Sequence, residues 1–490
     1  MGMTQLCIGI TNLSPGWQSI LESLGVWFEA VDFTLPLDRH YSAIIVNAPA
    51  TGLEIRTLQK FQQSGAGLLI TKNAGSLFKT TQVKTAKIPQ LPIEHARFTQ
   101  FVDEEKQRSI HLAIHADKKI SDHRYERKRF YFKPGLHPDE LVSVINKGAL
   151  LETIEICLRE LHLTCGLPFI KKWNSPQIKP VFAFRVDSDF GTKASIGQLY
   201  NMAKHHRIPM TWFLHIQAHE GWLKYFHNFE NQEIALHGYE HGTSESYEQV
   251  LNNIERGKQL LVDAGFSPVG FCVPYGIWNN TLGRVLQKFD FSYTSEFTIG
   301  YDAPPFYPIL DQKKLESLQI PIHPICTGSL SRKKASVTQM ETYFLEVLHS
   351  KVIQNQPVIF YHHPMQPGLE IWNAVFKEVN NLELTKLTFA EFAAFWKLRN
   401  SSEFKPVFDA ERKEIHCSSS NPDLLVSISV NRNSHHILKA KKTNEPLTAQ
   451  TRFEIQETED RSPEEYAELT EKPLQLIKTS ILDWKNRKRL

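Results

Sequence analysis

The sequence predicts an α/β protein whose central part is a barrel-like α/β domain. Apolar, strand-like runs alternate with segments of helical spacing over residues 1–90 and again over 180–400, and this alternation indicates parallel sheets. In the second region, polar residues follow several strands directly. Functional groups at the carboxyl ends of parallel strands are typical of a barrel-like arrangement. Residues 401–490 have short strand-like runs between Asn, Ser and Lys, and they predict a small antiparallel β domain.

The composition favours an ordinary globular protein. Hydrophobic residues make up 41% and charged residues 22% of the 490, so a sizeable core is expected. The net charge of +3 is too small to favour nucleic acid or an anionic membrane as a partner. The six cysteines form no CxxC pair, which suits a reducing compartment. We see no signal-peptide pattern, and no apolar run approaches the about 18 residues that a membrane-spanning helix needs. We therefore expect a cytoplasmic protein. The oligomeric state stays open.

The first predicted domain, residues 1–135, is expected to have a flavodoxin-like parallel sheet. It loosely resembles the sheet domains of the glutamine-amidotransferase type, whose nucleophile is a Cys after a strand. Here the strand-like run 67–71 continues into Lys72-Asn73-Ala74-Gly75. Without a nucleophile for the covalent step, an accessory or ligand-sensing module is expected rather than a glutaminase. Its predicted strands cover 6–11, 27–33, 42–47 and 67–71, and its predicted helices cover 17–24 and 53–63.

Three further segments complete the predicted organisation. Residues 136–179 are a helical connector, with helical spacing over 141–162 and three prolines leading into the next domain. The domain at 180–400 is expected to carry the function, and the domain at 401–490 is β-rich. For 180–400 we predict strands at 181–186, 210–216, 233–236, 271–273, 291–294 and 358–363, and helices at 196–206, 246–264 and 281–289. For 401–490 we predict strands at 415–417, 424–430, 436–439 and 452–456, and a basic helix at 477–490.

Pairs of histidines four residues apart occur three times in the sequence. They are His111/His115, His215/His219 and His237/His241. With 21 histidines in the chain, chance supplies on the order of one such pair, and this spacing joins side chains only on a helix. The third pair differs in its setting, because Asp187-Ser188-Asp189 ends a strand upstream. Two imidazoles and one carboxylate are the ligands of a hydrolytic metal site. We expect the other two pairs to be structural or on the surface.

Four short motifs follow one another between residues 180 and 398. They are Val186-Asp187-Ser188-Asp189, His237-Gly238-Tyr239-Glu240-His241, Cys272-Val273-Pro274-Tyr275-Gly276 and Val358-Ile359-Phe360-Tyr361-His362-His363. Their order and rough spacing resemble the first, second, third and fifth motifs of the polysaccharide deacetylase family, the NodB-homology domain of carbohydrate esterase family 4. The resemblance covers somewhat under half of the chain and implies a distorted (β/α) barrel of NodB type. It also implies metal-dependent hydrolysis of amide-linked acetyl groups on an N-acetylated sugar or polysaccharide.

The resemblance implies a role for each polar residue of the motifs. Asp189, His237 and His241 would hold the metal, and Asp187 would be the general base. One carboxylate with two imidazoles suits Zn²⁺, with Co²⁺, Ni²⁺ or Mn²⁺ as alternatives. Tyr275 would contact the substrate and offer its backbone N–H to the oxyanion.

Other positions of the motifs leave alternatives open. Cys272 stands where the family has an Arg that braces the base carboxylate, and Arg185 could replace that Arg because residues two apart on a strand point the same way. His362 and His363 compete for the role of general acid. They point to opposite faces, so at most one enters the site. Alignment with a strand followed by His-Pro favours His363, the preferred candidate, whereas alignment with the commoner L-M-H-D pattern favours His362. His323 is a further candidate, as a substrate contact.

Two other functions stay open. One is a non-catalytic carbohydrate-binding protein that keeps the barrel, which the missing Arg of the third motif favours. The other is an amidohydrolase for a small nitrogenous amide, since related enzymes of the broader fold act on ureides. An open groove would favour a glycan, and a closed cavity would favour a small molecule.

Overall fold

The computed structural model shows two compact units. Unit A comprises residues 1–121, 149–178 and 397–461, and unit B comprises 122–148, 179–396 and 462–490. The predicted division into four domains stays a prediction. Within the chain, the structure describes residues 3–75, 85–86, 95, 98–104, 107–132, 135–431, 434–439, 446–447, 468–469 and 474–486.

The largest sheet of unit A has five parallel strands that follow the order 2-1-3-4-5 along the chain. This is a doubly wound order, and the flavodoxin-like classification stays a prediction. The two central strands are buried throughout, as expected where helices cover both faces. From one edge the strands are Phe28–Ala30, Ile8–Ile10, Ala43–Val46, Gly67–Thr71 and Gln107–Leu112, followed by the antiparallel Thr99–Glu104 and Thr85–Ala86. The helices are Pro15–Leu24, Leu37–His40, Gly52–Gln63, the 3₁₀ turn Lys72–Ala74, Ala116–Ile120 and, at the border with unit B, Lys147–Thr164.

The described strands between residues 401 and 461 are antiparallel, as predicted, but they complete sheets begun elsewhere in unit A. One sheet has the order Thr4–Gln5, Phe404–Asp409, Glu414–Ser419, Pro446–Leu447, and the other has Phe169–Lys172, Leu425–Asn431, Ser434–Lys439. Exposed strand edges favour such pairing. The connector at 136–179 is therefore not purely helical, because it contains Phe169–Lys172. The predicted strand at 452–456 lies outside the described residues.

Unit B is built on a curled, open sheet of eight parallel strands, numbered β1 to β8 along the chain. Across the sheet the order is β6-β5-β4-β3-β2-β1-β7, and β8 pairs with the start of β1. The α/β architecture predicted for this region is confirmed. The strands are β1 Val181–Asp187, β2 Met210–Leu214, β3 Glu233–Leu236, β4 Gly270–Phe271, β5 Tyr293–Thr294, β6 Leu318–Gln319, β7 Val358–His362 and β8 Thr385–Lys386.

Helices follow most strands of this sheet. The predicted helix at 246–264 is Tyr247–Asp263, which the Ser246 side chain caps and after which Gly265 takes a φ of 91°. No helix among the described residues has the length and apolar character needed to cross a membrane. The helices of the sheet are Lys193–His206, Ile216–His219, the 3₁₀ segment Glu220–Asn228, Tyr247–Asp263, the 3₁₀ turn Pro274–Gly276, Asn280–Leu286, Thr327–Arg332, Val337–Ile353, Leu369–Asn381 and Phe389–Ser401.

A smaller part of unit B precedes and follows the sheet in sequence. Tyr125–Phe130 pairs with Asp139–Ser143 and with Glu468–Leu469, all antiparallel. The helical spacing over 141–162 therefore predicted the wrong element at its start, where a strand precedes the helix. The basic helix predicted at 477–490 is observed as Leu474–Asn486, and its last four residues lie outside the described part. The hairpin Ile309–Leu310/Lys313–Lys314 lies between β5 and β6.

The carboxyl ends of the strands gather the polar residues of the motifs. β1 ends at Asp187, His237 directly follows β3, Cys272 directly follows β4, and His363 directly follows β7. All of these strands are parallel members of one sheet, so these four residues emerge at the same end. The core beneath them is aromatic: the Phe184 ring on β1 lies 4.8 Å from that of Trp372.

Candidate metal and catalytic site

Asp189, His237 and His241 bring three candidate metal-binding atoms together. Asp189 follows β1, and both histidines lie in the loop after β3. His241 Nε2 is 3.1 Å and His237 Nε2 is 3.4 Å from Asp189 Oδ1. Metal–ligand bonds of about 2.0–2.2 Å in a tetrahedron place neighbouring donor atoms about 3.3 Å apart. The three side chains therefore fit a small divalent cation.

The histidine pair meets through a loop and not through a helix. Residues 237–241 have no helical turn, and Gly238 takes a φ of 84°, which an L-residue rarely adopts. A Cβ at Gly238 would also lie 3.0 Å from Asn253 Nδ2. The two rings nevertheless approach to 5.4 Å between centroids. The two histidines, four residues apart, are thus brought together by a compact turn after a strand. The prediction that this spacing joins side chains only on a helix was wrong here.

The contacts of His237 orient it toward Asp189. His237 Nδ1 lies 2.9 Å from the carbonyl oxygen of Cys272. A carbonyl only accepts, so Nδ1 carries the proton and the Nε2 lone pair faces Asp189, as is typical of metal-binding histidines.

A second group, Asp187, His237 and Cys272, is also compact enough to hold an ion. The charge of Arg185 already compensates Asp187. Burial holds the pKa of the Cys272 thiol well above its usual value, so the sulfur is a protonated, poor ligand. The group formed by Asp189, His237 and His241 is therefore the better cation site.

Arg185 braces the Asp187 carboxylate from the same strand. Its Nε and Nη2 donate to the two carboxylate oxygens at 2.6 and 2.7 Å. A further donor, Nη1, reaches the Ser295 carbonyl and lies 3.2 Å from its Oγ. Burial raises the pKa of Asp187, but the charge and hydrogen bonds of Arg185, together with His237 and His363, outweigh it, and the net pKa lies below the usual value. The contact that strand alternation predicted for Arg185 is present, so the missing Arg at Cys272 does not leave Asp187 unpaired.

The two histidines at the end of β7 point to opposite sides, as strand alternation predicts. His363 Nε2 lies 3.7 Å from Asp189 Oδ2 and 3.9 Å from Asp187 Oδ2. Burial lowers the pKa of His363, but the Asp189 carboxylate and other neighbours raise it to about 10. His362 is fully buried, its ring lies 5.6 Å from Trp372, and burial lowers its pKa to about 3. Only His363 meets the carboxylates.

Tyr275 and His323 differ in their relation to this site. The Tyr275 ring packs 4.9 Å from that of His241, and its φ is 61°. The role of its backbone N–H stays a prediction. His323 Nδ1 lies 3.0 Å from Asp302 and its Nε2 2.9 Å from the Tyr343 hydroxyl. The pocket that it lines includes Pro357, at the amino end of β7. His323 lies beside β7, where its backbone N–H donates to the Ile359 carbonyl at 2.8 Å, but both of its ring nitrogens face Asp302 and Tyr343 rather than the Asp189 group. Its role in substrate binding stays a prediction.

Sequence reasoning assigned no role at this site to three buried residues, His215, His219 and Glu296. His215 and His219, which were expected to be structural or on the surface, are buried and lie against the Asp187-Ser188-Asp189 segment. The position of His215 directly after β2 was the available signal. Glu296, two residues after β5, is fully buried, and burial raises its pKa to about 7.

The comparisons with known proteins include one family match, which lies within unit B. Residues 182–294 match the model of the polysaccharide deacetylase family. No curated protein matches the chain. Similar solved structures include a peptidoglycan deacetylase of Bacillus subtilis (14% identity, 46% of this chain and 96% of that chain, TM-score 0.32). They also include a carbohydrate esterase family 4 pseudoenzyme of Bacillus anthracis (15%, 45% and 69%, 0.31) and an allantoinase (12%, 44% and 89%, 0.37). At these identities the structural similarities do not discriminate among activities. The segment 182–294 belongs to the polysaccharide deacetylase family, as its motifs predicted.

Proposed function

We propose that this chain is a metal-dependent deacetylase that removes amide-linked acetyl groups from an N-acetylated sugar or polysaccharide. The observation that carries the proposal is one cluster at the carboxyl end of the sheet. It joins a three-residue cation site to a braced carboxylate and a single histidine. The family match of residues 182–294 supports a carbohydrate substrate.

Each side chain of the cluster then has one task. A divalent cation on Asp189, His237 and His241, with Zn²⁺ the best fit to this donor set, would supply Lewis acidity toward the acyl carbonyl. Asp187 is ionised beside Arg185 and would accept a proton from the attacking water.

Two further groups would act on the other side of the reacting amide. His363, whose Nε2 lies 3.7 Å from Asp189 and 3.9 Å from Asp187, would donate a proton to the leaving amine. The backbone N–H of Tyr275 would stabilise the oxyanion, in line with its place beside His241.

Metal content and acetate release, measured on the full-length protein, test the proposal. Wild-type protein is expected to bind about one equivalent of Zn²⁺ or a related ion and to release acetate from N-acetylated oligosaccharides. His237→Ala should lose both. The matched control is His206→Ala, which removes a half-buried histidine that is hydrogen-bonded to Asn373 and lies outside the proposed site; metal content and acetate release should stay as in wild type. Acetate release by metal-free protein at the wild-type rate would contradict the proposal.

A second candidate is a carbohydrate-binding protein that has lost catalysis, which Cys272 in place of the family Arg favours. The bidentate contact of Arg185 with Asp187 speaks against it. Glycan binding that persists in chelator, without acetate release from any N-acetylated oligosaccharide, would favour this candidate. Hydrolysis of a small ureide but not of acetylated sugars would instead identify an amidohydrolase for small amides.

A further inference from the structure

The Asp189 backbone has a conformation that needs outside support. Its φ is 41°, in the left-handed region that residues with a Cβ rarely adopt. Such a conformation persists only where the surroundings hold it, and it is frequent at functional sites. In this conformation the Asp189 carboxylate reaches His237 and His241.

His215 forms a direct hydrogen bond with the Asp189 backbone. His215 Nδ1 lies 2.9 Å from the carbonyl oxygen of Asp189. Because a carbonyl only accepts, Nδ1 donates the proton. The backbone N–H of His215 also donates to Ser188 Oγ at 2.9 Å, and the backbone N–H of Ser188 donates to the Phe213 carbonyl at 3.0 Å. The ends of β1 and β2 are thus tied together around Asp189.

The surroundings of the other ring nitrogen, Nε2, indicate that the Nδ1 donor is the functional atom of His215. His215 is 1% exposed, and in the described part of the chain its Nε2 has no hydrogen-bond partner. A buried, unpartnered polar atom is unfavourable, so an apolar side chain would fit better unless the Nδ1 donor were needed.

His215 does not complete the metal-binding group itself. Its ring centroid is 5.3 Å from that of His241. The compact groups of candidate ligands found among the described residues do not include it. The geometry therefore favours an indirect role for His215, through the Asp189 backbone.

We propose that His215 is a positioning residue, whose Nδ1–H holds the Asp189 carbonyl and thereby keeps the Asp189 carboxylate directed at His237 and His241. The inference rests on the proposed metal site and deepens it. His219 is the internal contrast, because it is equally buried and touches Ser188 Oγ at 2.8 Å, but its hydrogen bond does not involve Asp189.

The test compares three variants of the full-length protein by metal affinity. Zn²⁺ dissociation constants are measured against a competing chelator, and the absorption spectrum of the Co²⁺ form reports on ligand geometry. His215→Leu removes the donor and should weaken Zn²⁺ binding by about 10- to 100-fold and alter the Co²⁺ spectrum. His215→Asn keeps an amide N–H at the position of Nδ1 and should stay within about threefold of wild type. His219→Leu should keep the wild-type affinity and spectrum, even if its melting temperature falls.

The outcomes separate this inference from the proposed function. Wild-type protein without metal binding would overturn both. Metal binding by wild type with unchanged affinity in His215→Leu would overturn the positioning role alone. Equal weakening in His215→Asn and His215→Leu would also overturn it, because ring packing and not the donor would then matter. Equal weakening in His219→Leu would do the same. If His215→Leu does not fold, His215→Gln replaces it, since its longer amide cannot place the donor at Nδ1.

Discussion

Replacing Arg185 with methionine would leave the Asp187 carboxylate buried without its counter-charge. In the native protein the two side chains are 0% and 5% exposed and share two hydrogen bonds of 2.6 and 2.7 Å. Removing one partner of such a buried pair costs about 3–5 kcal/mol. For a unit of this size, about 2 °C of melting temperature corresponds to each kcal/mol. We therefore expect Arg185→Met to lower the melting temperature by about 6–10 °C at pH 8.

The size of this loss should depend on pH, with a definite sign. In wild type the pKa of Asp187 lies below its usual value. The ionised Asp187 therefore stabilises the folded state above the unfolded-state pKa of about 3.9. This stabilisation is lost as the pH falls through the pKa of Asp187 in the folded state. Without Arg185, burial dominates and raises the pKa of Asp187, so mild acid protonates the carboxyl group and relieves the variant. The difference in melting temperature between Arg185→Met and wild type should be smaller at pH 5 than at pH 8.

Thermal unfolding of the full-length protein, followed by circular dichroism at both pH values, measures these effects. The matched control is Arg284→Met, which breaks an exposed pair with Asp311, 50% and 61% exposed, and should cost less than about 1 kcal/mol. In an Asp187→Asn background, Arg185→Met should lower the melting temperature by less, because it no longer leaves a buried carboxylate unpaired. A loss no larger than in the control, or the same loss in both backgrounds, would refute the reasoning.

Three further predictions follow from the same site. His363→Gln should lower kcat by about 10²–10⁴-fold, whereas His362→Gln should mainly lower the melting temperature; equal losses of kcat would contradict the assignment. The pKa of Glu296 is raised to about 7, so its burial lowers stability as the pH rises from about 4.5 to 7. Glu296→Gln should therefore stabilise the protein at pH 8 by on the order of 3 kcal/mol and have little effect at pH 4.5, and equal melting temperatures at pH 8 would rule this out. Gly238→Ala should cost about 1 kcal/mol and reduce metal content by elemental analysis. Gly265→Ala, at a φ of 91°, should cost a similar amount and keep the metal.

Predicted runs overlap six of the eight strands in the main sheet of unit B, because buried parallel strands are continuous apolar runs between polar residues. The two-residue strands β6 and β8 were not predicted. The run 233–236 matches β3, and the run 181–186 falls one residue short of the end of β1. Prediction failed where a strand and a helix share one apolar stretch, as at 141–162, because periodicity does not separate them over so short a run. The runs predicted at 415–417, 424–430 and 436–439 overlap observed strands, but the sequence did not show that their sheets also contain Thr4–Gln5 and Phe169–Lys172.

By itself, the sequence determined the candidate donor set and its order along the chain, because polar residues directly after parallel strands must emerge at one end of the sheet. Only the tertiary structure decided which of them meet. Arg185 braces Asp187 and also reaches Ser295, 110 residues away. Likewise, His215 rather than a nearby residue holds Asp189. These contacts depend on which strands are neighbours and on the backbone angles after each strand. Neither is encoded in the spacing of the residues that make the contacts.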